Sequence, residues 1–84
     1  MRSPTIHLNG TGKVTLTNQY RVMIEAIRDA HKVLQNNGPH ARDYYVQDPE
    51  AYAEAAQQHM DRMLALSKIE KELTEIAKNV SKQR

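Results

Sequence analysis

Two long stretches of the chain repeat apolar side chains at helical spacing. In the first stretch the apolar positions follow one another at steps of four, three, four, three and four residues: Leu16, Tyr20, Met23, Ile27, Ala30 and Leu34. Alternating steps of three and four place side chains along one side of an α-helix. We therefore predict a first helix over residues 12–36, and Ile24 and Val33 widen its apolar side.

The second stretch begins at Asp48-Pro49-Glu50, where an N-cap residue, a proline for the first helical position and an acid follow one another. No Gly or Pro interrupts the chain after this point, so we predict a second helix over residues 49–80. Its heptad positions are Tyr52, Ala55, His59, Arg62, Leu66, Ile69, Leu73, Ile76 and Val80. Two of these positions, His59 and Arg62, carry polar side chains that require partners.

Turn-forming residues delimit both predicted helices. Thr11 or Thr15 is the expected N-cap of the first helix, and Asn37-Gly38-Pro39 is expected to end it with a left-handed residue before a proline. Residues 37–48 then form a loop. In residues 1–11, Ile6 and Leu8 alternate with polar neighbours up to Asn9-Gly10, which predicts a short extended arm ended by a turn.

These elements predict an all-α fold, an antiparallel helical hairpin with a short extended N-terminal arm, in a single domain over residues 1–84. The second helix is longer than the first, so some of Leu73, Ile76 and Val80 need cover from the arm or from another subunit. An isolated two-helix hairpin rarely buries enough apolar surface. We therefore expect a symmetric homo-oligomer.

Composition excludes several classes of protein. The 84 residues carry 12 basic and 10 acidic side chains, for a formal charge of +2, which is too small for a polybasic nucleic-acid arm. There is no cysteine, and therefore no disulfide or thiolate metal site. Apolar runs are too short for a membrane helix, and the first residues lack the apolar stretch of a signal peptide. We expect a cytoplasmic protein that does not bind a membrane, and nucleic-acid binding ranks third among the functional hypotheses because the net charge is small.

Sequence motifs of catalysis are missing. The chain has no phosphate-binding glycine loop, no zinc-protease motif and no nucleophile elbow, and its four histidines follow no zinc-ligand spacing. We predict that the protein is not an enzyme and has no metal or cofactor.

One candidate binding cluster lies in the inter-helix loop. Tyrosine rings such as Tyr44 and Tyr45 stack on nucleobases, and an arginine such as Arg42 offers five donors to a phosphate. The alternative is structural: the two tyrosines cap the hairpin core, and Arg42 pairs with Asp43 or a helix end.

His59 and Arg62 share one face of the helix that follows this loop. Either they bind a ligand, or each has a structural partner. In the structural alternative His59 is a satisfied interface histidine, and Glu25 or Asp29 neutralises Arg62.

A second candidate cluster is His7, Asn9, Gly10 and Thr11. If Thr11 caps the first helix, the first backbone N–H groups form an anion site that Gly10 and Gly12 leave open. On its own this signal is common, because an Asn-Gly turn often precedes a helix cap.

Three segments, residues 4–11, residues 41–45 and His59 with Arg62 and Leu66, together resemble a family of short tailed-bacteriophage proteins. Departures from that pattern are Gly12, where serine is common, and Val46 and Asp48, where proline and glycine are expected. The resemblance implies that the polar segments are the family's signature. Small helical phage proteins of this kind include sponges that sequester nucleotide immune signals in anti-CBASS and anti-Thoeris defence, which are similar in kind and not in sequence.

Two functional hypotheses follow. The first is a phage anti-defence protein that, in the cytoplasm of an infected bacterium, sequesters a cyclic oligonucleotide or an ADP-ribose derivative without turnover. The predicted ligand-binding residues are His7, Asn9, Gly10, Thr11, Arg42, Tyr44, Tyr45, His59 and Arg62. The second is a protein-interaction module, an inhibitor of a host protein or a virion accessory, that docks through Leu73, Ile76 and Val80.

Overall fold

Two long helices packed against one another make up most of the molecule. The computed structural model describes residues 1–83, and its elements are α1 (Lys13–Asn36), a short 3-10 helix (Ala41–Asp43) and α2 (Ala51–Ser81). No strand occurs within residues 1–83. The predicted all-helical hairpin is confirmed at this level, with the arm as an extended segment without strand pairing.

Helix α1 begins without a side-chain cap. Its N-cap residue is Gly12, whose backbone is extended and whose carbonyl oxygen accepts the N–H of Leu16 at 2.9 Å. The predicted caps Thr11 and Thr15 are both wrong: Thr11 precedes the N-cap, and Thr15 already lies in the first helical turn.

Helix α1 ends at Asn36, and the C-cap residue that follows, Asn37, has a negative φ. Its N–H donates to the carbonyl oxygen of Leu34 at 3.2 Å, and its side-chain Nδ2 donates to that of Val33 at 2.7 Å. The expected left-handed residue is absent: no residue from 1 to 83 has positive φ. Side-chain hydrogen bonds satisfy the final carbonyl groups, which a left-handed glycine otherwise does.

Helix α2 begins two residues later than predicted. The Oδ1 atom of Asp48 accepts the N–H of Glu50 at 3.1 Å, and the carbonyl oxygen of Asp48 accepts the N–H of Ala51 at 3.1 Å. Asp48 therefore caps a tight turn through Pro49 and Glu50, and regular helix begins only at Ala51.

The contact between α1 and α2 keeps most of the predicted positions and replaces some of them by neighbouring residues. Half-buried apolar residues at the contact are Leu16, Tyr20, Ile24, Ile27 and Leu34 in α1 and Ala56, Met63, Leu66, Leu73 and Ala77 in α2. Met23, Ala30, Tyr52, Arg62 and Ile69, which the heptad pattern placed there, are exposed. One step along a helix turns a side chain by about 100°, so neighbouring apolar residues such as Met23 and Ile24 compete for the contact.

Several apolar residues stay exposed along one side of the hairpin. A groove on the opposite face is lined by Arg21 and Arg28 from α1 and by Ser67 and Thr74 from α2. Exposed residues on the remaining side of each helix form what we call the apolar face: Val22, Met23, Ala26, Ala30 and Val33 in α1, and Ala65 and Ile69 in α2. Val22 is 56% exposed and Val33 60%. None of these seven side chains is charged.

The N-terminal arm folds back over the far end of α2. Val80 is completely buried there, and Ile6 in the arm is half-buried. The arm therefore covers Val80, one of the residues of the second helix that were expected to need cover. Leu8, expected to share a side with Ile6, is 99% exposed, because the chain turns at His7 and the strand-like alternation ends.

The hairpin is long and buries little of itself. Its principal extents are 62 × 20 × 17 Å and its radius of gyration is 18.6 Å, against about 12 Å for a compact chain of this length. Ala51 and Val80 are the buried hydrophobic residues in the described part of the chain. Neither helix of that part is long and apolar enough to cross a membrane.

Candidate functional site

The inter-helix loop presents Arg42 on a small, hydrogen-bonded scaffold. The Nδ1 atom of His40 accepts the backbone N–H of Arg42 at 3.2 Å, and the N–H groups of Asp43 and Tyr44 donate to the carbonyl oxygens of His40 and Ala41 at 3.0 Å each. The side chain of Arg42 is exposed. Within residues 1–83 it forms no ion pair with Asp43, so the guanidinium can meet a ligand.

The two loop tyrosines have different surroundings. Tyr44 is half-buried, and its ring centroid lies 6.3 Å from that of Tyr52 at a tilt of 50°. Such a tilted aromatic pair anchors the loop on the first turn of α2. Tyr45 is 79% exposed. The structural interpretation therefore applies to Tyr44, whereas Tyr45 is exposed enough for stacking.

Tyr44 and Arg62 line the same notch, which has a volume of about 220 Å³. The other lining residues are Asn37, Pro39, Ala55, Gln58 and His59. None of the seven is acidic. The predicted neutralisation of Arg62 by Glu25 is wrong, because Glu25 pairs with Arg21 at 3.0 Å. Asp29 lines the groove on the opposite face, so it does not neutralise Arg62 either.

His59 is held by the end of α1. Its Nε2 atom lies 2.5 Å from the carbonyl oxygen of Leu34, and Gly38 packs so close that an added Cβ would lie 3.4 Å from the ring. Nε2 is therefore occupied by the last turn of α1, and only Nδ1 is left to bind a ligand.

The arm cluster is built on a turn from His7 to Gly10. The N–H of Gly10 donates to the carbonyl oxygen of His7 at 3.1 Å. The ring of His7 lies over Gly10, where a Cβ would come 2.7 Å from Nε2. His7, Asn9, Gly10 and Thr11 are all exposed. Gly12, and not Thr11, caps α1, and no side chain caps the helix, so the predicted anion site would consist of the backbone N–H groups that follow Gly12.

The two clusters lie at opposite ends of the molecule. We call them the loop end, residues 37–62, and the arm end, residues 1–13 together with 75–83. The 24 residues of α1 separate the turn of the arm from the loop, which at 1.5 Å per residue is about 36 Å. At the loop end Tyr44, His59 and Arg62 line the notch, Tyr45 lines a separate pocket together with Tyr44, and Arg42 lines neither of the two. The other four predicted residues lie at the arm end.

Sequence reasoning missed polar residues at both ends. Gln58 lies four residues before Arg62, so helical spacing alone puts it on the same side of α2. Asn37 was assigned only to the helix stop, although it also lines the notch. Gln83 contacts the arm across 77 residues of sequence, and no local pattern signals that contact.

Neither a metal-binding cluster nor a similar protein indicates what the site binds. No cluster of three or more potential metal-binding His, Asp or Glu side chains occurs within residues 1–83. No known protein family, curated protein or solved structure matches the chain. The geometry of the two ends is therefore the basis for the functional inference.

Proposed function

We propose that the protein is a non-catalytic phage anti-defence protein that sequesters a phosphate-bearing nucleotide signal, a cyclic oligonucleotide or an ADP-ribose derivative. The observation that carries the proposal is the notch at the loop end. There a guanidinium unpaired within residues 1–83 lies beside an aromatic ring in a pocket free of carboxylates. In this proposal Arg62 binds phosphate in the notch, the exposed Arg42 on the inter-helix loop offers a second guanidinium, and Tyr44 and the exposed Tyr45 contact a base.

The arm cluster joins this site only in an oligomer. About 36 Å of helix keeps His7, Asn9, Gly10 and Thr11 away from the notch within one chain. Two copies paired about a two-fold axis perpendicular to the helices are antiparallel, so the arm end of each copy lies at the loop end of the other. Each pair then has two composite sites.

The distribution of charge favours antiparallel pairing. The loop end contains two arginines, Arg42 and Arg62, and five acids: Asp43, Asp48, Glu50, Glu54 and Asp61. The arm end contains one acid, Glu75, and four bases: Arg2, Lys13, Lys78 and Lys82. Opposite charges therefore meet in an antiparallel pair, and like charges meet in a parallel one. The bases of the second copy also offset the acids around the phosphate site.

The exposed surface matches what a second copy would cover. The chain exposes 6590 Å², whereas a compact monomer of 9.6 kDa exposes about 5,100 Å². The excess, about 1,500 Å² per chain, is in the range that each partner of an obligate dimer buries. The apolar face is the uncharged surface available for this contact.

The direct test is a thermal-shift screen against cyclic di- and trinucleotides, ADP-ribose derivatives and mononucleotides. A ligand at about 100 times its dissociation constant adds about 2.7 kcal/mol of stability. For a domain of this size the midpoint should rise by roughly 10 °C or more. A flat panel, on protein that circular dichroism finds helical, would refute nucleotide binding.

Sequestration without turnover needs a second measurement. The ligand is incubated with the protein for hours, released by heat and analysed by chromatography. We expect the same ligand in unchanged amount. A product that forms in proportion to protein concentration would instead identify an enzyme.

The second candidate function, a protein-interaction module, is favoured by the apolar face. The contact first predicted for it, Leu73, Ile76 and Val80, is a poor docking surface, because Val80 is buried and the other two are half-buried. Val22, Val33 and Ile69 are exposed. If the purified protein is monomeric and binds no nucleotide, a host or phage protein becomes the expected occupant of the apolar face.

A further inference from the structure

The arm is held to the end of α2 by a single glutamine side chain that binds two main-chain groups. The Oε1 atom of Gln83 accepts the N–H of Ile6 at 2.7 Å, and its Nε2 atom donates to the carbonyl oxygen of Pro4 at 2.8 Å. Those two groups point to the same side of an extended chain. The amide thus takes the place of a neighbouring strand.

Two further contacts fix the same segment. The Nδ2 atom of Asn79 donates to Oγ of Ser3 at 2.9 Å, and Nζ of Lys13 donates to the carbonyl oxygen of Gln83. Beneath them lies the completely buried side chain of Val80. Residues 3–6 are therefore bound along one side, whereas Leu8, two residues after them, is exposed.

We propose that Gln83 and Asn79 form an amide clamp that positions the His7–Gly10 turn. The clamp ends at Ile6, one residue before this turn, and Lys13 fixes the chain again just after it. The chain is thus attached to Gln83, just beyond the end of α2, on both sides of the turn. Gln83 is a positioning residue for Asn9 and Gly10, although it is too far along the molecule to contact a ligand at the loop end of its own chain.

The consequence for ligand binding rests on the function proposed above. Ordering an exposed turn at the moment of binding lowers affinity, and a turn ordered beforehand avoids that loss. The arm contributes to the composite site through the second copy, so the clamp of one chain determines how tightly the other chain's loop end binds the nucleotide.

The test compares Gln83→Ala with Gln57→Ala in the full chain. Gln57 is an exposed α2 residue whose Nε2 atom donates to Asp61 within the same helix at 3.0 Å, so its substitution controls for the loss of a glutamine that does not contact the arm. The readouts are amide exchange rates by NMR at Ile6 and Gly10 and affinity for the nucleotide found in the thermal-shift screen. We expect Gln83→Ala to accelerate exchange at both amides by about tenfold, to weaken nucleotide binding at least fivefold, and to leave helix content unchanged.

Each result that contradicts the proposal would overturn a different part of it. Unchanged exchange at Ile6 would overturn the clamp itself. Faster exchange at Ile6 with an unchanged Gly10 amide would overturn the positioning of the turn. Faster exchange at both amides with undiminished nucleotide affinity would overturn its role in binding. If the wild-type chain binds no nucleotide, the proposed function fails, and the two exchange rates still decide the clamp.

Discussion

The Nε2 atom of His59, in the third turn of α2, lies 2.5 Å from the carbonyl oxygen of Leu34 at the end of α1. This hydrogen bond gives the carbonyl oxygen of Leu34 a second partner, because that oxygen also accepts the N–H of Asn37 at 3.2 Å. It also holds the ring at the wall of the notch in which Arg62 is exposed. A polar residue at an apolar heptad position thus has a structural partner.

Substitution of this histidine should destabilise the hairpin. We expect His59→Ala to lower the free energy of unfolding by about 0.5–1.5 kcal/mol, because the partly buried carbonyl oxygen of Leu34 loses one of its two partners. Thermal or urea unfolding followed by circular dichroism measures the change. His7→Ala, an exposed histidine at the other end of the molecule, should leave the midpoint within error. Loss of nucleotide binding at unchanged stability would make His59 a ligand residue instead.

Arg62 should determine affinity without affecting the fold. We expect Arg62→Ala to weaken nucleotide binding by about 10- to 100-fold, the cost of losing charge-assisted hydrogen bonds to phosphate. Isothermal titration calorimetry measures the affinity. The control is Arg28→Ala, an exposed arginine that pairs with Glu70 at 3.4 Å on the opposite face. Equal losses from both variants would indicate a nonspecific effect of charge.

The apolar face should control assembly. We expect Ile69→Glu to convert the oligomer into monomers, because a charge would be buried between copies. Sedimentation velocity gives the molecular mass. Leu64→Glu makes the same type of change on α2 at a residue that is 59% exposed and lies outside the apolar face, and it should leave the oligomer intact. A wild-type chain that sediments as a monomer would refute this use of the face.

Mixing two inactive variants should restore binding if the sites are composite. Arg62→Ala damages the loop end, and Asn9→Ala damages the arm end. In an antiparallel dimer that contains one copy of each, one site carries both defects and the other carries none. Random re-association after mild unfolding should therefore recover about a quarter of the sites, counted by ligand titration. No recovery would indicate that each site lies within one chain.

The buried end of α2 should be sensitive to lost volume. We expect Val80→Ala to lower the free energy of unfolding by roughly 1–3 kcal/mol, since the arm cannot fully close the space left. For a domain of this size the melting midpoint should fall by several degrees. Val14→Ala is the matched control, because Val14 is 76% exposed. Equal stability of the two variants would indicate that the arm does not cover Val80 in solution.

Sequence patterns within a few residues were enough to predict the two helices and almost enough to predict where each begins and ends. Apolar steps of three and four residues predicted both helices, and Pro39 and Pro49 bracketed the connecting loop, because backbone restrictions act over a few residues. The caps were harder to predict. Thr11 was a reasonable N-cap by residue type, yet Gly12 takes that position, and Lys13, the first residue of the helix, contacts Gln83 at the other end of the sequence.

The sequence by itself determined that this protein is a helical hairpin with polar clusters in its arm and its loop. Only the tertiary structure decided which apolar residues meet between the helices, because Met23 and Ile24, or Arg62 and Met63, differ by a single 100° step. It also decided that the two clusters lie at opposite ends, since a rigid helix of 24 residues separates them. Contacts as distant in sequence as Gln83 with Ile6 depend on the whole fold, because they form only after both helices have packed.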